Sequence, residues 1–168
     1  MTLSMYQASV PVIVRTMTSL SNFLTKADAD ATARGIDPQV FLNARLAPDM
    51  HPLTRQVQIA SDACKLGIAR LAGIDAPSFP DVETTFPELQ KRIADTIAFV
   101  KSVTPEQIDG TEDKVIVLKF PGREMTFPGQ TLLLHFTLPN LFFHVTTAYD
   151  ILRHNGVVLG KMDFLSGN

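Results

Sequence analysis

The chain has 168 residues, close to half of them apolar, which fits one domain with a substantial core rather than two. Its 15 basic and 17 acidic residues leave a net charge of −2 and form no basic stripe of the kind that follows phosphates, so nucleic acid is excluded as an expected partner. The longest nearly continuous apolar run, Leu132 to Val145, is broken by His135, Pro139 and Asn140 and is too short to span a bilayer, so a soluble protein without membrane association is expected.

The opening stretch "MTLSMYQASVPVIVR" has no basic residue before Arg15, unlike a secretion signal, which predicts a cytoplasmic location. Tyr6, Val10, Ile13, Met17, Leu20 and Leu24 recur at steps of four, three, four, three and four, the apolar stripe of a helix. Pro11 removes one backbone donor and should bend this helix without ending it; Gly35 suits its stop. Asp37 and Pro38 give the cap and first turn of a short helix through "QVFLNARL", closed by Pro48.

A second long helix begins near Met50 to Pro52, carries Leu53, Val57, Ala60, Cys64, Ile68 and Leu71 on one face, and ends near Gly73. Cys64 is the only cysteine, which excludes an internal disulfide and a thiolate-rich zinc site; its apolar neighbours predict a buried packing role. After the loop "GIDAPSFPDVE", Thr85 and Glu88 form a capping box, followed by Leu89, Ile93, Ile97 and Val100 on a third long helix. Thr104, Pro105 and Gln107 repeat the cap signature over a short turn.

"KVIVLKF" and "REMTF", joined by Pro121 and Gly122, are rich in β-branched and aromatic residues and predict a small hairpin. A fourth helical region runs from about Gly129 to Arg153, interrupted or restarted at Pro139, with Asn155 and Gly156 as its stop. The tail "VVLGKMDFLSGN" is expected to lie along the bundle or against a neighbouring subunit. These patterns together predict one all-α domain over residues 1–168: a four-helix bundle with short accessory helices and a β-hairpin before the last long helix.

The chain contains no G-x-S-x-G turn, phosphate-binding glycine loop or H-E-x-x-H motif, and no Glu-x-x-His pair of the di-iron bundles. "DADAT" from Asp28 opens like a calcium loop, but Ala33 and Gln39 stand where that loop needs glycine and an acid, so a solvated helix face is expected. Among His51, His135, His144 and His154, the steps of nine and ten residues along the last helix turn the side chains by about 180° and about −80°, so no two share a face. Asn140 and His144 are four apart and project from adjacent turns of one face. Two readings follow: a shared ligand-binding point, or buried polar groups bonded to each other, to Thr147 or Tyr149, or to backbone carbonyls.

Arg153 and His154 fit a helix C-terminus, where cations meet its partial negative charge. Phe136, Phe142 and Phe143, three of eleven phenylalanines in a chain without tryptophan, are expected in the core or as the wall of an apolar pocket. Tyr149 and Asp150 carry acid–base groups without an evident partner.

The bundle order and the segments "ARLAPDM", "RQVQIA", "LPNLFFHVTTAYDILRHNGV" and "GKMDFL" resemble an uncharacterised bacterial branch of the DinB/YfiT-like superfamily, over nearly the whole chain. The resemblance implies a divalent metal held by one histidine near the start of the second long helix and an H-x-x-x-H pair on the fourth. His51 matches the first position, and Asn140 with His144 matches the pair, with an amide in place of one imidazole. Zinc, nickel or iron bound at His51, Asn140 and His144 would therefore be held weakly.

Two functions are compatible with this. One is a metal-dependent transferase or hydrolase acting on a small molecule or low-molecular-weight thiol. The other is a non-catalytic homodimeric bundle that binds a small ligand or a protein partner without metal, as the asparagine replacement favours.

Overall fold

The computed structural model describes residues 3–166; residues 1, 2, 167 and 168, the outermost ends of the two terminal tracts read above, lie outside it. Helix α1 spans Met5–Arg34. Ser4 starts it through a capping box with Gln7, in which each side chain accepts from the other residue's backbone N–H, and Gly35 ends it at φ 63°. The stripe from Val10 to Leu24 is buried, and the helix continues through Pro11 as its apolar pattern requires.

Helix α2 spans Pro38–Leu42, shorter than the sequence pattern, because the Asn43 amide donates to the Gln39 carbonyl oxygen and closes the turn. Helix α3 spans Leu53–Ala72 and stops at Gly73, while α4 spans Phe86–Ser102 behind the Thr85–Glu88 capping box. A single turn, α5, covers Pro105–Ile108. The hairpin pairs β1, Val115–Phe120, with β2, Arg123–Pro128, antiparallel, with Phe120 opposite Arg123 across Pro121 and Gly122. Ile116 and Leu118 point inward and Val115 and Val117 outward, the alternation of a sheet with one dry face.

The last helical region has three parts: α6 at Gly129–Leu132, a π-helical turn at Leu133–Thr137, and α7 at Leu138–His154. Pro139 has no N–H to give to the carbonyl of His135, and its ring crowds that carbonyl in a regular helix; the widened turn before it lets the chain pass without ending. The two helices flanking this region in the bundle are α1 and α3, and each of those also packs on α4, so the long helices form the ring α1, α4, α3, α7. Cys64 lies fully buried among them, and burial pushes its thiol pKa far up, which removes it as a nucleophile.

The tail forms α8, Lys161–Ser166, which packs on α1. Phe164 stacks on Phe23 at 6.1 Å and meets Tyr149 edge-on at 6.4 Å, and Ser19 donates to its carbonyl oxygen. The Tyr149 ring is thus part of an aromatic contact. Asp28 and Asp30 belong to a helix, where Asp30 pairs with Arg34 one turn on. No helix among the described residues is long and apolar enough to cross a membrane.

The loop over residues 73–85 is tied down by charge. Arg92 on α4, its side chain 1% exposed, pairs with Asp62 and Asp81 at 3.0 Å and Glu83 at 2.9 Å. Lys65 shares Asp62, Arg55 pairs with Asp81, and Gln58 donates to Glu83. Burial works to raise the Glu83 pKa, but the hydrogen bonds from Arg92 and Gln58 and the charge of Arg92 hold it below the ordinary carboxylate value.

Candidate functional site

His144 occupies the face of α7 that looks at α3, and only 9% of it is exposed. Its partner is Gln56, also buried: Nδ1 and Gln56 Oε1 lie 2.6 Å apart. The other end of the same amide, Gln56 Nε2, donates to the backbone carbonyl of His51 at 2.9 Å. That second bond turns the amide so that its oxygen faces the imidazole. An oxygen can only accept, so Nδ1 carries the proton and Nε2 keeps its lone pair.

The electrostatics act in the same direction. Burial, then the electrostatic influence of His51 and Arg55, lowers the His144 pKa from 6.5 to about 4. The ring is therefore neutral at physiological pH, with the Nε2 lone pair free for a metal. Phe143 stands edge-on to it, with centroids 5.2 Å apart and an interplanar angle of 89°.

The structure places the three sequence-derived site residues unevenly. His51 lies just before α3, exposed, linked to His144 through Gln56. Asn140 is one turn before His144 and half-buried; it enters a cavity of about 180 Å³ between α3, the hairpin and the start of α7. The close approach of Thr137 to Gly67, together with the bond from His144 to Gln56, shows that α3 and α7 run in opposite directions here. His144 consequently sits between the His51 end and the Asn140 end. Among the described residues no three His, Cys, Asp or Glu side chains are grouped to hold a metal, so an ion held by the three sequence-derived residues would rest on two imidazoles and a neutral oxygen. That donor set fits a loosely bound borderline metal and leaves coordination positions open.

Gln56 is the residue that sequence reasoning missed. It stands three residues after Leu53 and four before Ala60, on the buried stripe of its helix, and a polar side chain at such a position was the available signal. Of the bonding partners anticipated for His144 within its own helix, none is used; the partner comes across the bundle. Phe142 and Phe143 correct the expectation of a core role, being 37% and 57% exposed, whereas Phe136 joins Phe120 and Phe127 in an aromatic cluster. Arg153, in the last turn of α7, donates to the Val157 carbonyl beyond the helix end.

Comparison with known proteins adds the following. The family model described as "Domain of unknown function (DUF1993)" matches residues 5–165. The crystal structure of a DinB family member from Shewanella denitrificans is similar at 39% sequence identity, over 95% of this chain and 90% of that one, with a TM-score of 0.86. No curated protein matches the chain.

Proposed function

From the chain's membership of the DUF1993 family, with the fold of a DinB family member, we propose that the corner formed by His51, Gln56 and His144 is a divalent-metal site of a transferase or hydrolase. Its substrate would be a small molecule or a low-molecular-weight thiol. His144 through Nε2 and the His51 imidazole would hold zinc, nickel or iron, with the Asn140 carbonyl oxygen as a weaker third donor. A bound ion of this kind makes a coordinated thiol or water more acidic.

The observation that carries this reading is the Gln56 bridge between His51 and His144, from which the His144 tautomer follows. A histidine kept only for packing needs no particular nitrogen free, whereas this ring is held by Gln56 with its unprotonated nitrogen unspent. Low basicity has a second use: the ring does not need to lose a proton at neutral pH before it can bind a metal.

The test is metal content of protein purified without chelator or affinity-tag metal and then offered zinc, nickel, manganese and iron. Stoichiometric uptake that disappears in His144→Ala supports the site. Uptake retained in that variant assigns the metal elsewhere and overturns it.

A second reading, a non-catalytic homodimer that binds a small ligand without metal, draws on two other observations. Asn140 lines a cavity, and Phe142, Phe143 and Leu134 leave apolar surface outside the bundle's own core. A concentration-independent dimer by sedimentation, with no metal after repletion, would favour it.

A further inference from the structure

The cavity beside Asn140 contains a cation with no counter-ion. Arg34, Arg55 and Arg92 are each paired with carboxylates. Arg70, half-buried on α3, lines the cavity, and its guanidinium forms no ion pair or hydrogen bond with any described residue. Burial lowers its pKa, and no acid opposes that effect. A partly desolvated guanidinium is costly unless an anion meets it, and its planar fork matches a carboxylate.

The rest of the lining points to the same class of ligand. Lys119 adds a second positive charge, held only by a long exposed pair with Glu124 at 3.7 Å. The one acid in the wall, Asp62, shares its Oδ1 between Arg92 and Lys65, each at 3.0 Å. Phe120 and Phe136, with ring centroids 6.5 Å apart, add apolar ring surface to the same lining. The volume of about 180 Å³ suits one small ring, since an apolar cavity of about 150 Å³ can hold benzene.

We propose that this cavity binds a small aromatic carboxylate, with its carboxylate on Arg70, its ring against Phe120 and Phe136, and a polar ring substituent read by Asn140. The proposal deepens the small-ligand reading and does not require a metal. Arg70 is a binding residue without a structural partner, so Arg70→Met should leave the fold intact, which circular dichroism and the melting temperature check.

The experiment follows amide chemical shifts of the chelator-treated 168-residue chain during titration with benzoate, neutral benzamide and acetate. Benzoate should saturate at millimolar concentration or below and shift the Asn140 side-chain amide and the backbone around Arg70. Benzamide, acetate, and benzoate with Arg70→Met should each be weaker by roughly tenfold or more, the worth of a charge-assisted bond or of the ring contact. Equal binding of benzamide and benzoate, or full binding by Arg70→Met, overturns the anion assignment while the small-ligand reading stands. Absence of saturable binding by all three probes overturns both.

Discussion

A histidine whose Nδ1–H is already given to an amide and whose ring is shielded from water accepts a further proton only at an energetic cost. Its pKa of about 4 in the fold against an ordinary 6.5 means that the unfolded chain binds the extra proton across that interval. Stability from this residue is thus complete above pH 6.5 and is lost progressively as pH falls towards 4. Urea unfolding across the interval should show this slope in the native protein and a flatter one in His144→Leu. Gln56 is open to a separate check. Gln56→Leu strands the ring N–H and the His51 carbonyl, at a cost of about 1 to 3 kcal/mol, and frees the ring to change tautomer. Gln56→Glu keeps an acceptor for Nδ1, loses the donor to His51 and adds a carboxylate that favours the protonated ring. Nitrogen NMR of the His144 ring should therefore report protonated Nδ1 in the native and Glu proteins and a mixture in the Leu variant. An unchanged tautomer in Gln56→Leu would remove Gln56 as the positioning residue.

Between elements, the contact that sets the level of α7 against α3 is made by the smallest residue. A Cβ built on Gly67 would lie 2.5 Å from Thr137 Cγ2 and 2.7 Å from its Oγ1. Thr137 closes the π-helical turn, so the glycine lets the widened helix approach α3 closely and presents Asn140 and His144 on the next turns. Gly67→Ala should cost about 1 to 3 kcal/mol by thermal or chemical unfolding. Pairing it with Thr137→Ala should recover part of that loss, because the nearest contacts are Thr137 side-chain atoms that the second change removes. The α3–α4 loop depends instead on Arg92. Arg92→Ala leaves Asp62, Asp81 and Glu83 without their common cation and should destabilise by about 3 to 5 kcal/mol. Hydrogen exchange in residues 73–85 should rise first; if that loop stays protected, the charge cluster is not what holds it. The surface pair Lys26–Asp163 should contribute under about 1 kcal/mol to docking α8, where the Phe164 contacts dominate.

For the molecule as a whole, one apolar cluster takes in residues from α1 through Leu159, including the hairpin's Ile116 and Leu118. With no separate second cluster among the described residues to melt alone, near- and far-ultraviolet circular dichroism should follow a single coincident transition in urea. A hairpin or α8 transition resolved from the main one would contradict that. The four long helices were legible in the sequence because each carries its own stripe and its own caps, and both kinds of signal are local: Thr85 and Glu88, or Gly35 and Gly73, act within a few residues of themselves. The candidate pair Asn140 and His144 was legible for the same reason, as a spacing on one helix. What the sequence by itself determined was therefore the set of elements, their faces and the polar groups available on them. Only the tertiary structure decided that His144 bonds to Gln56, that Asn140 turns towards a cavity, and that Arg70 lies in that cavity without an acid. Those outcomes depend on the relative level of α3 and α7, set by the packing of Gly67 against Thr137 and by a widened turn, between residues 70 positions apart whose local patterns carry no information about one another.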